Sequence, residues 1–219
     1  MDKYRLLFSK TGRAVYISHL DLMRTLTRAF LRAECRLKYS EGFNPHPQIS
    51  IALPLSVGAE SVCEIMDFKL IEDRQPQEIL DALSKQLPEG IEAIEVYTSE
   101  RKVKELKWLK ISGVFEYDER NAEIMAAKLE DFYAQDSIVI TKKTKRGMGA
   151  SNIRPAIKEI SFTTDSSDVR LDAVVSAQEP TLNPELLAEA ARQLCPDIAP
   201  DFAKFRRLEV FDGNMSVFR

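Results

Sequence analysis

Apolar and polar positions change period along this chain, and the changes divide it into elements. "KYRLLFSKTGRAVYIS" alternates around apolar positions and contains the turn pair Thr11-Gly12, which predicts a first strand with a hairpin or bend. From Ser18 the period lengthens. Leu22, Leu26, Phe30 and Ala33 recur at helical spacing through about residue 34, and Ser18 with Asp21 three residues later fits a capping box. "ISIALPL" and "SVCEIMDFKLI" then read as strands, "QPQEILDALSKQL" as an amphipathic helix opened near Pro76, and "IEAIEVYTS" as a closing strand.

From about residue 107 the order begins again, although the residues themselves do not repeat. "LKISGVFEY" reads as a strand, "ERNAEIMAAKLEDFYAQ" as a helix, and "SIVITKKT" as a strand leading into a basic loop. "AIKEISFTT" and "VRLDAVVSA" are strands joined by the polar turn "DSSD". "NPELLAEAARQL" is a helix with Asn183 as cap and Pro184 at its first position, and "FAKFRRLEVF" closes the series. Two successive β-α-β-β-α-β units predict an α+β architecture of two tandem ferredoxin-like domains, each an antiparallel sheet with helices on one face. The expected domains are residues 1–103 and 104–219, joined near the lysine-rich stretch at residues 100–106.

With 44% apolar and 30% charged residues over 219, the chain reads as soluble and globular. No apolar run approaches the ~20 residues that span a bilayer, and "MDKYRLLFSKTGR" lacks the features of a secretory signal, so a cytoplasmic location is expected. Cys35, Cys63 and Cys195 are odd in number and in no C-x-x-C spacing, which argues against a disulfide framework, a thiolate zinc site or an iron–sulfur cluster. The only histidines are His19 and His46, which argues against a multi-histidine metal centre. Neither a metal nor a cofactor is expected.

Charge changes the picture more. The net charge is −3, but the signs are segregated. Residues 1–60 lean basic, "RKVKELKWLK" forms a second basic cluster, and "KKTKRGMGASNIRPAIK" is a third that contains no acidic residue. Within the predicted first helix Arg24, Arg28 and Arg32 follow one another at i, i+4 and i+8, so their guanidinium groups form one slowly drifting stripe beside the apolar face. Two readings fit: a binding stripe for an anionic partner, or a solvated helix face paired with acids from elsewhere in the fold.

Directly after that helix comes "YSEGFNPHPQIS". Each proline fixes its own φ and biases the residue before it toward extended geometry, so Asn44 and His46 are turned away from helix and the segment runs as a shaped loop. It offers Tyr39 and Phe43 as stacking surfaces, Ser40 and Asn44 as hydrogen-bonding groups, and Gly42 for close backbone approach. A cationic groove with an aromatic platform is how unpaired nucleotides are bound, which points to single-stranded or looped RNA. The competing reading makes the loop a rigid connector and its aromatics core or hinge residues. In the third basic cluster, Gly147 and Gly149 between Lys145, Arg146 and Arg154 suit either a phosphate-wrapping loop or a mobile hairpin with no ligand.

"YISHLDLMRTLTRAFLRAECRLKYSEGFNPHPQISIALPLSVGAES" closely resembles the signature of the radical-SAM-linked proteins, a bacterial domain of unknown function found alone or fused to a radical SAM enzyme. "KRGMGASNIRPAI" resembles that family's lysine-glycine-arginine-proline segment. The resemblance implies neighbourhood with ribosome and RNA-processing components. It also implies a separate radical SAM enzyme as partner, since this chain has no C-x-x-x-C-x-x-C segment. In layout alone the chain is also similar to repeat-associated RNA endonucleases of tandem ferredoxin-like folds, in which a basic cleft binds RNA and a histidine can act as base.

The leading expectation is therefore an RNA-binding accessory protein with no catalysis of its own, positioning ribosomal or transfer RNA for a radical SAM modifying enzyme. Arg24, Arg28 and Arg32 would bind phosphate, Tyr39 or Phe43 would stack, Asn44 and His46 would shape the pocket, and Lys145, Arg146 and Arg154 would extend the track. A metal-independent RNA endonuclease using His19 or His46 is one alternative, because a histidine titrating near neutrality can activate a 2′-hydroxyl. The plainer roles are His19 at the helix start and His46 holding the loop. A second alternative is a module that binds the radical SAM partner without touching nucleic acid.

Overall fold

The computed structural model describes residues 3–144 and 147–219. The architecture is mixed α+β, with antiparallel sheets and, among the described residues, four α-helices. The chain divides into two compact units, Met1–Glu105 together with Arg219, and Leu106–Phe218.

In the first unit the elements run β1 (Tyr4–Lys10), α1 (His19–Arg32), β2 (Ile49–Ile51), β3 (Glu60–Phe68), α2 (Pro76–Ser84) and β4 (Ile91–Thr98). Its strands lie in the order β4-β1-β3-β2, every neighbour antiparallel. β1 does not turn back as a hairpin. Gly12 takes the left-handed region at φ +56° and opens a 3-10 turn over Gly12–Tyr16, which the buried Lys10 closes by donating from Nζ to the Val15 carbonyl at 3.0 Å. "ISIALPL" is strand only over Ile49–Ile51, and Pro54, lacking an N–H, lies outside the ladder.

α1 starts where the capping pattern places it, the Ser18 hydroxyl oxygen accepting from the Asp21 N–H at 3.1 Å. It buries Leu22, Leu26, Ala29 and Phe30 against the sheet, and the Phe30 ring meets Phe68 at the end of β3 at 4.8 Å. Phe68 is also the register partner of both Tyr4 on β1 and Ile49 on β2, and its ring stacks on Tyr4 at 5.5 Å. Helix, first strand and short strand are thereby fixed at one end of the sheet.

One position later in β1, Arg5 is fully buried and lies opposite Asp67. Its Nε donates to Asp67 Oδ1 at 2.7 Å and its Nη2 to the Arg101 carbonyl at 2.9 Å, while Lys3 Nζ approaches Asp67 Oδ2 at 2.5 Å. A charge so far out of water is tolerable only with its counter-charge in place.

The second unit runs β5 (Leu106–Glu116), α3 (Ala122–Tyr133), β6 (Val139–Thr144), β7 (Gly147–Asn152), β8 (Ile157–Asp165), β9 (Asp168–Ser176), α4 (Glu185–Leu194) and β10 (Phe202–Asp212). The sheet order is β10-β5-β9-β8, with β6-β7 as a separate antiparallel pair. Tyr133 stacks on Phe162 at 5.5 Å and donates its hydroxyl to the Leu187 carbonyl at 2.5 Å; burial pushes its phenol far above the usual range. Of the two readings of the basic segment, loop or hairpin, the paired strands β6 and β7 match the hairpin. Lys142 and Lys143 pair with Gly149 and Met148, and Gln193 on α4 bonds both the N–H and the carbonyl of Thr141, at 2.8 and 2.9 Å, covering that edge. α4 begins one residue later than expected, at Glu185, whose N–H donates to Asn183 Oδ1 at 3.3 Å, so Asn183 still acts as a cap.

No described helix is long and apolar enough to cross a membrane. Among the described residues, no group of three or more His, Cys, Asp and Glu side chains is gathered to hold a metal ion.

Removing one member of the buried pair tests its role. Asp67→Ala should cost about 3–5 kcal/mol in chemical denaturation, whereas replacing both partners together, Arg5→Met with Asp67→Leu, should cost much less because no buried charge is orphaned and Lys3 is left in contact with water.

Candidate functional site

The residues with the clearest binding chemistry gather at the sheet end marked by Phe68. Met23, Arg24, Thr27 and Arg28 from the outward side of α1 face His46, Pro47 and Ile49 across a cavity of ≈ 410 Å³. On the other side of the same His46–Pro47 segment lies a second cavity of ≈ 470 Å³, lined among others by Lys3, Asp67, Phe68, Lys69 and Lys102. The segment is thus a ridge with a cleft on each flank, both inside the first unit.

Local sequence explains the ridge. Ser40 Oγ accepts from the His46 N–H at 3.1 Å and lies 2.9 Å from His46 Nδ1. Since that oxygen already accepts the backbone hydrogen, its own proton is free for Nδ1 in the neutral ring, and Nε2 is left uncommitted to the loop. Ser40 N also donates to the His46 carbonyl at 2.9 Å, and the Gln48 side-chain amide to the Tyr39 carbonyl at 3.3 Å. These bonds close the loop on itself, with the prolines limiting its alternatives.

Antiparallel register explains the second cleft. Lys3 precedes Tyr4 and Lys69 follows Phe68; because Tyr4 and Phe68 are paired, both lysines emerge at the same edge. Ser99 N bonds the Lys3 carbonyl at 2.8 Å and Lys69 N bonds the Gln48 carbonyl at 3.2 Å, which brings the segment carrying Lys102 and the proline loop to that edge as well. Sequence reading missed Lys3 and Lys69, which carry no local motif. It placed Lys102 in a linker, although the basic run around it was a usable signal.

The cations differ in what holds them. Arg24 Nη1 lies 3.2 Å from Asp21 Oδ1, both side chains exposed, and Lys3 shares Asp67 with Arg5. Arg28, Lys69 and Lys102 have no ion-pair partner among the described residues, so the second reading of the stripe, neutralisation by acids elsewhere, does not apply to Arg28. Arg32 departs from the stripe. Its Nη2 donates to the Gln86 carbonyl at 2.6 Å, after the end of α2, and it lines neither cavity.

The remaining candidates scatter around the ridge. Phe43 is wholly exposed at 111% and Tyr39 half exposed at 48%, so neither is a core aromatic, and neither lines a cavity. Gly42 has φ +120° with open space around it, which a side chain would find strained although unhindered. Asn44 is exposed, its carbonyl 3.5 Å from His46 Nδ1. His19 stands exposed in the first turn of α1 and lines neither cavity, so the two histidines are not brought to one place. In the second unit Arg154 donates from Nη1 to the Ile157 carbonyl at 2.8 Å, tying down its own turn, while Lys145 and Arg146 lie outside the described residues.

The family described as "Uncharacterized protein conserved in bacteria (DUF2344)" matches residues 3–184. The chain belongs to that family. The DUF2344 match thus takes in all the helices and strands of the first unit and those of the second up to α4. No curated protein matches this DUF2344 chain. Among solved structures, a chain of "Crystal Structure of a Cbf5-Nop10-Gar1 Complex" is similar at 10% identity and a TM-score of 0.51; the match covers 94% of this chain and 48% of that one. This chain therefore spans about half the length of that neighbour, and the likeness is one of fold. "Crystal Structure of an Unknown Protein from Galdieria sulphuraria" matches at 8% identity and a TM-score of 0.28, over 94% of this chain and 98% of that one.

Asp21 links the cap to the stripe. The Ser18 hydroxyl, and after it the Arg24 guanidinium, hold its carboxyl below the ordinary carboxylate range. A depressed carboxylate contributes stability that is present above its unfolded-state value and is lost as pH falls through the folded one. In a carboxyl-carbon NMR titration, Ser18→Ala should raise the Asp21 midpoint further than Arg24→Ala does.

Proposed function

We propose that this protein binds single-stranded or looped RNA across the ridge of its first unit, as an accessory that presents ribosomal or transfer RNA to a separate radical SAM modifying enzyme. The observation that carries this is the convergence of Arg24 and Arg28 with His46 and Pro47 on one cleft, backed by Lys3, Lys69 and Lys102 on the other. Five cations surround a ridge whose loop tip offers Phe43 fully to solvent. Phosphates bind through such side chains without sequence preference, and exposed rings stack on unpaired bases. The radical SAM partner is supported by the sequence resemblance alone.

Each unit is taken as ferredoxin-like in this proposal. In favour are the β-α-β-β-α-β order of the first unit with strand order fourth, first, third, second, and the same order in the second unit once the β6-β7 hairpin is set aside as an insertion. Cleavage by the chain itself would have to rest on a single histidine. His46 is the one at the cleft, but its Nδ1 is engaged by Ser40.

Salt dependence tests the binding. With three to five phosphate contacts, log affinity for a single-stranded RNA should fall against log salt with a slope of about −2 to −4. Arg28→Ala and Lys102→Ala should each remove about 0.7 of that slope, while Arg32→Ala should leave it nearly unchanged. A flat response in the wild type would exclude the proposal. Cleavage products that persist in chelator and vanish with His46→Ala would favour the nuclease instead.

A further inference from the structure

The two clefts are chemically unlike, and that difference identifies more than a backbone track. The second cleft shares Pro47 and Ile49 with the first but adds three lysines and Asp67 to them. The cleft beside α1 has an apolar floor: Met23 and Ile49 are partly buried against the core, Pro47 closes one side, and Thr27 donates its hydroxyl to the Met23 carbonyl at 2.8 Å, which leaves its methyl as the group it can offer. Arg24 and Arg28, both exposed, bring its two guanidinium groups, and Arg28 is unpaired among the described residues. A phosphate track needs no such floor. A cavity of ≈ 410 Å³ falls within the roughly 300–1,000 Å³ of small-ligand pockets.

We propose that this cleft receives one unpaired nucleobase, turned out of the strand and seated on Met23, Pro47 and Ile49, with its flanking phosphates on Arg24 and Arg28 and the strand continuing over the His46–Pro47 ridge to the lysines. This rests on the RNA-binding proposal and narrows it. The occupant is flat and apolar on its faces and carries anionic neighbours, matching an apolar floor under a cationic rim. A stacked base inside a duplex cannot enter, so the site selects looped or single strands. His46 Nε2, the ring nitrogen not held by Ser40, is the polar group available to a base edge.

The test compares two probes of equal phosphate number on the full chain: a short single-stranded oligoribonucleotide, and a ribose-phosphate polymer of the same length without bases. A stacked base contributes enough that the base-free polymer should bind about 5-fold to 150-fold more weakly at fixed salt, with an unchanged salt slope. Thr27→Phe, which fills the cleft without altering charge, should shrink that difference by weakening only the natural oligomer, leaving whatever Phe43 contributes, and a difference unchanged by the variant would overturn base capture in the cleft; its fold is checked by thermal melting. Replacing one base with 2-aminopurine gives a second readout independent of any variant, because unstacking on binding raises its fluorescence. Equal binding of both polymers, with no fluorescence rise, would overturn base capture while leaving backbone binding standing. Binding of neither polymer would overturn both proposals together.

Discussion

The pairing of β1 with β3, with Arg5 opposite Asp67 and Tyr4 opposite Phe68, is the constraint on which the candidate site depends. A one-residue slip would send every side chain of β1 to the opposite face and strand a buried guanidinium without its carboxylate. The register also decides the surface. It sets Lys3 and Lys69 side by side, and through Phe68 it fixes where β2 begins and where Phe30 lodges α1. The cationic edge is therefore a by-product of core geometry: the same contacts that exclude water from Phe68 determine which charges lie around the ridge.

Between the two clefts the loop acts as a preorganised wall. Its conformation is held by prolines and by hydrogen bonds from Ser40 and Gln48 to groups within the same twelve residues, so ordering it on contact with a ligand would cost little entropy. Phe43 at the tip shows the other side of this economy. Its ring is fully exposed, so burial in the fold contributes nothing to holding it there.

Arg24, Arg28 and Arg32 look alike in sequence and differ in the fold. Four-residue spacing places them in one row, but each guanidinium then finds what its own surroundings offer: a carboxylate one turn back for Arg24, no partner among the described residues for Arg28, and a carbonyl beyond α2 for Arg32. The basic segment of the second unit behaves similarly. Its glycines and lysines fit a loop or a hairpin equally, and the pairing of β6 with β7 and cover by Gln193 decide for the hairpin. Intrinsic preference is weak where a neighbouring strand supplies the hydrogen bonds.

Sequence by itself determined what local physics governs. Helical periodicity and the Ser18–Asp21 pattern set α1, alternation set most of the strands, and two prolines with Ser40 set a loop apart from helix and sheet. It also placed Arg28 and His46 among the candidates, because residue types and short spacings survive without coordinates. Only the tertiary structure decided which of these side chains share a cleft, since that depends on strand register and on the packing of α1 through Phe30, interactions between residues tens of positions apart. Lys3 and Lys69 show the division most clearly: separated by most of the first unit in sequence, they become neighbours solely because the hydrogen bonds of β1 and β3 align Tyr4 with Phe68.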